Sequence, residues 1–177
     1  MIATLMNYSR PPKGQKESFA VAELVDDCIG LAYISSKNKI GIQTKLDRTL
    51  FLYANKEQLR QALVNLLLNS IESVLIKMKF NGYMGEQGKQ AVHISVYQKD
   101  SEIILEVYDN GMGMSDEQVQ QCTDPFFTTK KTGTGMGLAM SKMYLRENGG
   151  RLEVESKEGV YTLMRMVFKE DNKHNET

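Results

Sequence analysis

The sequence predicts an α/β (α+β) two-layer sandwich, in which helices cover one face of a mixed, largely antiparallel sheet. Segments with apolar residues at helical spacing are interspersed with pairs of short, strand-like segments. Short turns join the paired segments, so we expect hairpins rather than βαβ crossovers. At 177 residues the chain is long enough for one domain with a hydrophobic core. Together these observations favour helices packed on one side of the sheet.

The N-terminal part is expected to hold a linker, one helix and two strands. Residues 1–12 are weakly helical up to a double proline, which cannot continue a helix, so they are interpreted as the end of an upstream helix plus a linker. Apolar residues at helical spacing predict a helix over 21–36. Two short strands are predicted at 40–46 and 50–54.

A long helix and a hairpin form the middle of the predicted domain. Asn55 is a candidate N-cap, with Gln58 three residues later as in a capping box, and the helix runs from about 56 to 79. A glycine-rich loop covers 81–90. The next two stretches, AVHISVYQ and EIILEVYD, predict a hairpin.

The C-terminal part adds two helices and a second pair of strands. Ser115, with Gln118 three residues on, predicts a short capped helix. Another helix is predicted from about Met136 to Glu147, and Gly149 stops it, because glycine is common just after helix C-termini. Two strands, RLEVES and YTLMRMVF, close the sheet, and a polar tail covers 170–177.

Charge and composition exclude several functional classes. Lys plus Arg and Asp plus Glu both number 22, so the surface has no net charge with which to attract nucleic acid or an anionic membrane. Cys28 and Cys122 are the only cysteines, which argues against a disulfide framework, and His93 and His174 lack metal-ligand spacing. The chain has no apolar run of about 18 residues and no signal-peptide pattern, so we expect no membrane contact.

Two asparagines interrupt the apolar pattern of the long helix. Asn65 and Asn69 are four positions apart and therefore lie one above the other, and Glu72 continues the stripe. Asparagine is a poor residue for a helix interior, which suggests a function for the pair. An amide oxygen suits a magnesium ion held mainly by phosphates. A solvated polar face is the alternative interpretation.

A second polar position follows the apolar strand LEVY. Asp109 ends this strand, and Gly111 and Gly113 come directly after it. A carboxylate at a strand end can accept a hydrogen bond from an exocyclic amine such as that of adenine, and glycines let a flat base approach the backbone. A plain hairpin turn is the alternative, but a capped helix follows instead of a strand.

Three alternating glycines, Gly133, Gly135 and Gly137, precede the last predicted helix. Glycines before a helix free backbone N–H groups for phosphate oxygens, and the helix dipole favours negative charge there. Lys130 and Lys131 add positive charge beside them. The spacing matches neither the dinucleotide GxGxxG nor the P-loop GxxxxGK[ST], and a flexible surface loop is the alternative.

In this order the motifs resemble the ATP-binding domain of sensor histidine kinases, which belongs to the GHKL superfamily and has the Bergerat fold. ALVNLLLNSIES resembles the N box, YDNGMGM the first glycine box, DPFFTTK the F box and GTGMGLAMSK the second glycine box. The resemblance runs from Phe19 to Phe168, so residues 13–169 are expected to form the catalytic domain. The overall style is similar to that of sporulation-type kinases of Gram-positive bacteria.

The resemblance implies a role for each polar side chain. Asn69 would coordinate Mg²⁺, with Asn65 beside it contacting metal or phosphate. Asp109 would bind the adenine amino group of ATP or ADP, and Gly111 and Gly113 would flank the base.

Two positions bear on the chemistry that the resemblance implies. Hydrolytic members of the superfamily carry a glutamate where Asn65 stands, and an amide cannot take a proton at neutral pH, so attack of water on ATP is expected to be slow. Many sensor kinases have a basic residue near Ser73 that touches phosphate, and this sequence does not. The division of phosphate contacts is therefore expected to differ.

The resemblance also implies a mobile lid over the nucleotide, residues 123–134. Phe126 and Phe127 would anchor the lid, and Lys130 or Lys131 would approach the γ-phosphate. The other residues assigned to the nucleotide lie in the loop and at the start of the next helix: Thr128, Thr129, Gly133, Thr134, Gly135, Met136, Gly137 and Leu138. The expected catalytic set combines two amides and two lysines: Asn65, Asn69, Lys130 and Lys131.

The phosphoacceptor implied by the family is a histidine on a helical hairpin. His93 lies in a predicted strand and His174 in the polar tail, and neither resembles that motif. The sequence MIATLMNYSRPP resembles the end of the hairpin helix, so the hairpin is expected in another part of the protein. The expected partners are this hairpin and a response regulator, with a homodimeric parent protein, a monomeric fragment and a cytoplasmic location.

Two other functions stay open from the sequence. The first is a nucleotide-binding regulatory module without kinase activity, and the second is a GHKL-type ATPase. The intact glycine boxes favour a working ATP site but do not distinguish transfer to histidine from these alternatives.

Overall fold

The computed structural model describes residues 14–36, 40–80, 91–130 and 133–170. Helices and strands alternate along these residues much as the sequence predicts. In chain order they are β1 (Glu17–Ala20), α1 (Val21–Ser36), β2 (Gly41–Leu46), β3 (Phe51–Ala54), α2 (Lys56–Phe80), β4 (Ala91–Lys99), β5 (Glu102–Asp109), α3 (Asp116–Gln121), α4 (Gly137–Glu147), β6 (Gly150–Lys157) and β7 (Tyr161–Lys169).

The main sheet has five strands in the order β2-β4-β5-β7-β6. Three of its four pairings are antiparallel and one, β2 with β4, is parallel. The helices α2 and α4 pack on one face of this sheet, and α1 packs on α2. The predicted fold class, a two-layer sandwich with a mixed, largely antiparallel sheet, is therefore confirmed.

The expected pattern of hairpins without crossovers is wrong for β2 and β3. These strands follow one another but do not pair, because β3 pairs with β1 in a separate two-stranded ribbon. Strand β2 instead lies parallel to β4, with Gly41 opposite Ala91, so the chain crosses over through β3 and α2. At the end of β2, Asp47 Oδ1 accepts hydrogen bonds from the N–H and hydroxyl of Thr49 and turns the chain away from the sheet. The short strand β1 was not predicted.

The N-terminus of α2 is joined to the C-terminus of α4. Asn55 Oδ1 accepts the Gln58 N–H at 3.1 Å, which confirms the predicted N-cap. The reciprocal bond of a capping box is absent among the described contacts, because the Gln58 side chain binds Glu147 and Asn148 instead. Asn148 Oδ1 in turn accepts the Asn55 N–H at 2.7 Å. Ser115 and Gln118 do form both bonds of the box predicted for α3.

The hydrophobic core lies between the sheet and α2. Leu59, Leu63, Leu66 and Leu67 on α2 are 0 % exposed, and they pack with the apolar side chains of the central strands. Within the described ranges α2 is the one helix long and apolar enough to cross a membrane. Its leucines are buried in the domain, as expected for the core helix of a sandwich.

Several sequence predictions concern residues outside the described ranges. These are the linker 1–12, the loop 81–90, Lys131 and residues 171–177 of the polar tail. The first residue of that tail, Glu170, is attached to the domain. Its N–H donates to Ser101 O at 2.9 Å, and its carboxylate accepts from Gln98 at 2.6 Å.

Candidate functional site

Asp109 ends the central strand β5 with its side chain directed to the helical side of the sheet, where it is 1 % exposed. Its Oδ1 accepts the Gly111 N–H at 2.9 Å. Burial raises the pKa of the carboxyl to about 6, although the Gly111 N–H, the hydroxyls of Ser70 and Ser73, and the charge of Lys77 all act to lower it. A carboxylate buried in this way is a strong acceptor for a ligand that donates a hydrogen bond.

The hydroxyl of Ser70 is the second polar group at this end of the site. Ser70 is 0 % exposed, and its hydroxyl lies near enough to the Asp109 carboxylate to lower the pKa of that group, although its Oγ makes no hydrogen bond of good geometry to a described residue. A buried polar atom without a partner is unfavourable, so it indicates a place for water or for a ligand group. The end of β5 thus brings a buried carboxylate and a buried hydroxyl together.

The glycines after Asp109 allow the chain's own segments to approach closely. A Cβ at Gly111 would collide with Ser73 Oγ and lie 2.7 Å from Asp109 Oδ1. Gly113 has φ +64°, and a Cβ there would collide with the carbonyl oxygen of Lys157. Both positions therefore need glycine for packing within the protein, independently of any base between them.

At the other end of the site, Asn69, Glu72 and Lys130 come together. Lys130 Nζ lies 2.9 Å from Asn69 Oδ1 and 2.6 Å from Glu72 Oε2. The stripe predicted on α2 thus faces the predicted lid, and a cation already lies against its two oxygen atoms. These oxygens and the phosphates of a bound nucleotide would supply the hard ligands that Mg²⁺ prefers. Among the described residues, no cluster of three or more His, Cys, Asp or Glu could hold a metal alone.

Asn65 makes contacts that differ from those of Asn69. Its Nδ2 lies 3.3 Å from Gly137 O and 3.4 Å from Ser141 Oγ, both on α4. It therefore connects α2 to the first turn of α4. That turn has no side-chain cap at Met136, so its first N–H groups are available for an anion.

The loop before α4 folds back on itself. The Phe126 N–H donates to Gly135 O at 2.9 Å, and a Cβ at Gly135, where φ is +68°, would collide with the Phe126 backbone. The Thr128 hydroxyl oxygen accepts the Lys130 N–H at 3.1 Å. The Phe126 side chain is 76 % exposed, whereas Phe127 is partly buried. Any anchoring by the pair in this structure therefore rests on the Phe126 backbone and the Phe127 ring.

The remaining loop residues assigned to the nucleotide surround the start of α4. Thr134 Oγ1 accepts the Met136 N–H at 3.4 Å, and the Gly133 N–H donates to Lys130 O at 3.3 Å. Thr129 is exposed, and Leu138 packs against the edge of the core. Lys131, the second candidate lysine, lies outside the described residues.

Two further residues of α2 contact the loop after Asp109: Ser73, which the sequence analysis noted only as a departure from the family pattern, and Lys77, which it did not single out. Ser73 Oγ accepts the Met112 N–H at 2.9 Å. The residue that departs from the family pattern therefore holds residues 110–114, which we call the glycine loop. Lys77 donates to the carbonyl oxygens of Asn110 and Gly159 at 2.9 Å each. Their spacing in the sequence could have identified both residues, because they continue the i, i+4 row that starts with Asn65 and Asn69.

Comparison with known families identifies the domain. Residues 54–172 match the family of histidine kinase-, DNA gyrase B-, and HSP90-like ATPases. The chain belongs to this family. It is an ATP-binding domain of the histidine kinase type within the GHKL superfamily, as the motifs predict. All the site residues described above lie inside the matched range.

Similar proteins of this family are sensor kinases. Sensor histidine kinase ZraS of Salmonella typhimurium is 36% identical over 164 residues, which is 90% of this chain and 32% of ZraS. Sporulation kinase B of Bacillus subtilis is 27% identical over 158 residues, 88% of this chain and 34% of the kinase. The predicted likeness to sporulation kinases is thus confirmed. The chain spans about a third of the length of these relatives.

Solved structures show the same fold. The catalytic domain of histidine kinase ThkA, in a nucleotide-free form, superimposes with a TM-score of 0.72 and 22% identity over 88% of this chain and 96% of that domain. The mycobacterial sensor histidine kinase MprB gives a TM-score of 0.72 and 20% identity over 87% of this chain and 97% of that chain.

Proposed function

We propose that this GHKL domain binds Mg·ATP along one polar row of α2 and passes the γ-phosphoryl group to a histidine on a separate helical hairpin. This row, the α2 ridge, consists of Asn65, Asn69, Ser73 and Lys77. The observation that carries the proposal is the buried Asp109 carboxylate with the buried Ser70 hydroxyl beside it. A carboxylate can accept a hydrogen bond from the amino group of adenine, and a hydroxyl can donate one to a ring nitrogen.

The residues at the far end of the ridge fit the triphosphate. The uncapped first turn of α4 provides backbone N–H groups, and Lys130 provides a positive charge that can move from Asn69 to the γ-phosphate. Asn69 would hold Mg²⁺, with Asn65 beside it. The ion would neutralise charge on the phosphate oxygens, and the protein would contribute positioning and electrostatic stabilisation.

The absence of an acid–base group at Asn65 favours transfer over hydrolysis. An amide neither takes nor gives a proton at neutral pH, and Asn65 already donates to Gly137 O and Ser141 Oγ. Water bound beside the γ-phosphate would therefore lack a general base at this position. This supports a kinase over an ATPase of the same superfamily.

The phosphoacceptor would come from another part of the protein. His93 is partly buried in β4, where its ring makes an edge contact with Tyr108 at 5.8 Å on the face of the sheet away from α2. His174 lies outside the described residues. The chain spans about a third of the length of its kinase relatives, which include a sensor histidine kinase, so the hairpin and a response regulator are the proposed partners. A cytoplasmic location, a homodimeric parent and a monomeric fragment belong to the same proposal.

Two measurements test the proposed function. Calorimetric titration with ADP and ATP, with and without Mg²⁺, should show adenine nucleotide binding that the metal strengthens. Incubation with a separate histidine hairpin and γ-labelled ATP should then give an acid-labile label on the hairpin. ATP binding without transfer would support the regulatory module, and steady phosphate release by the chain alone would support the ATPase.

A further inference from the structure

Lys77 lies near the C-terminus of α2, eight positions after Asn69 on the same row of the helix. Its ammonium group donates to three backbone carbonyls, those of Asn110 and Gly159 at 2.9 Å and that of Val160 at 3.4 Å. An ammonium has three N–H donors, so these contacts use its full capacity. Such saturation is unusual for a lysine on a helix surface, where the charge is normally solvated.

The three carbonyls belong to two different segments. One is the glycine loop that follows Asp109, and the other is the turn between β6 and β7. The segments are also joined directly, because the Gly159 N–H donates to Met112 O at 2.6 Å and the Met114 N–H donates to Ser156 Oγ at 2.8 Å. Lys77 is therefore the point at which α2, the glycine loop and the closing hairpin meet.

The charge of Lys77 also reaches the base-binding carboxylate. Among the described residues it is the one charged side chain that lowers the pKa of Asp109, against the burial that raises it. The other neighbours are uncharged: Ser70 and Ser73 from α2, Val92 from β4 and Thr162 from β7, which lie opposite Asp109 in the sheet. The cation that fixes the loop thus also acts on Asp109, as the weakest of the influences that lower the pKa of the carboxyl.

We propose that Lys77 is a positioning residue for adenine recognition, which holds the glycine loop in place and brings a positive charge near Asp109. This inference rests on the proposed function, since it assigns Lys77 to the same base-binding pocket. It acts through Asp109 and the loop backbone without touching the nucleotide. Truncating the ammonium should therefore change both the affinity for adenine nucleotides and its dependence on pH.

The test compares Lys77→Met, which keeps the aliphatic stem, with Lys77→Arg and Lys79→Met. Lys79 is exposed in the same last turn of α2, so its variant controls for the interaction of a lysine with the helix C-terminus. ADP affinity is measured by calorimetry between pH 5 and 8. Lys77→Met should bind ADP about tenfold more weakly at pH 7, as expected for the loss of hydrogen bonds from a charged donor. Lys77→Arg should recover most of the affinity.

The pH profile separates positioning from a general effect on folding. In Lys77→Met the midpoint of the affinity change should move to higher pH than in the wild type, because the carboxyl loses its nearby cation. An equal loss of affinity at every pH, or a profile identical to that of Lys79→Met, would overturn the proposal. Failure of the wild-type chain itself to bind ADP would instead overturn the proposed function.

A second readout covers the case in which Lys77→Met does not fold. In the wild-type chain the Lys77 ammonium protons should exchange slowly enough with water to give a resolved NMR signal at low temperature, unlike those of Lys79. Absence of that signal would contradict the three hydrogen bonds. In Lys77→Arg, a slowly exchanging guanidinium N–H signal together with normal ADP binding would support the proposal.

Discussion

The two ends of the candidate site are built in different ways. At the base end, Asp109, Gly111 and Ser73 are fixed by hydrogen bonds between the central strand, the glycine loop and α2. At the phosphate end, Asn69 is held by one side chain, Lys130, which comes from a largely exposed loop. On the proposed function, the base end is thus already ordered for its ligand, whereas at the phosphate end an internal ion pair would have to be exchanged for the nucleotide and its metal.

This difference teaches where binding energy should come from. Groups that are already ordered lose little conformational entropy when a ligand arrives, so contacts at the base end should carry most of the affinity. Contacts at the phosphate end should carry less affinity but more of the discrimination between ATP and ADP. Substitutions at the base end are therefore expected to change overall nucleotide affinity, whereas those at the phosphate end should change the preference between ATP and ADP.

The largest effect on nucleotide binding is expected for Asp109→Asn. The variant should bind ADP more weakly by about 1–3 kcal/mol, because the base would face an amide with a misplaced donor. Its free energy of unfolding without nucleotide should rise at pH 7 by about 1–3 kcal/mol, since a buried charge with a raised pKa is removed. Calorimetry and chemical denaturation measure the two changes.

Asp100→Asn is the matched control for this substitution, because Asp100 is exposed in the β4–β5 turn. It should leave both quantities unchanged. Wild-type affinity in Asp109→Asn would show that the carboxylate does not bind the base.

Substitutions of glycine should distinguish the rigid end from the loose one. Gly113→Ala places a Cβ against Lys157 O at φ +64° and should lower the free energy of unfolding by about 2–4 kcal/mol. Gly159→Ala, at φ +73° with no atom nearby, should lower it by about 1 kcal/mol. In Gly135→Ala the new Cβ also collides, but the loop can shift. Its effect on the free energy of unfolding should therefore be smaller than that of Gly113→Ala. Equal losses at Gly113 and Gly135 would contradict the comparison.

The pH dependence of ADP binding should follow the titration of Asp109. Because the folded-state pKa is raised to about 6, affinity should be full at pH 7 to 8 and fall about tenfold per pH unit below 6. The same proton uptake should stabilise the nucleotide-free protein as the pH falls from about 6 towards 4. Carbon NMR of the Asp109 carboxyl gives its midpoint directly, and a midpoint near 4 would contradict this prediction.

Asn69→Ala should reduce the effect of magnesium more than it reduces nucleotide binding itself. Without Mg²⁺ the variant should bind ADP within about twofold of the wild type, and addition of the metal should no longer strengthen binding. Titrations with and without metal measure the difference. Full magnesium dependence in the variant would place the ligand elsewhere.

The smallest effect is expected for Lys130→Met. Its partly exposed ion pair with Glu72 should contribute less than about 1 kcal/mol to folding. ADP affinity should stay equal or rise slightly, because an internal cation no longer occupies Asn69, whereas ATP affinity should fall. Equal losses for both nucleotides would remove Lys130 from the γ-phosphate.

Most of the fold was readable from local patterns, and the exceptions were non-local. Periodicity and caps located α1, α2 and α4 and the strands β4 to β7, because these patterns lie within single segments. The parallel partner of β2 and the pairing of β1 with β3 depend on contacts between distant segments. A short strand such as Glu17–Ala20 has too few residues to give a clear alternation.

The residues of the candidate site likewise fall into those found from local motifs and those recognised only from contacts between distant segments. Asn69, Asp109 and Lys130 stand in motifs with distinctive residue types, so the sequence singled them out. Ser73 and Lys77 are ordinary helix residues whose importance comes from what faces them: the Met112 N–H and three carbonyls. The role of Gly111 as a close packing position against Ser73 also emerges only when the helix lies against the loop.

The crossover from β2 to β4 has a consequence for how the domain assembles. Gly41 of β2 pairs with Ala91 of β4, and β3 and the whole of α2 lie between them in the sequence. Forming this pair therefore requires a long segment of chain to be ordered first. Contacts of such sequence separation form late and slow the folding of a chain. The edge strand should therefore be the last to dock and the first to open, with its amides exchanging faster than those of β5.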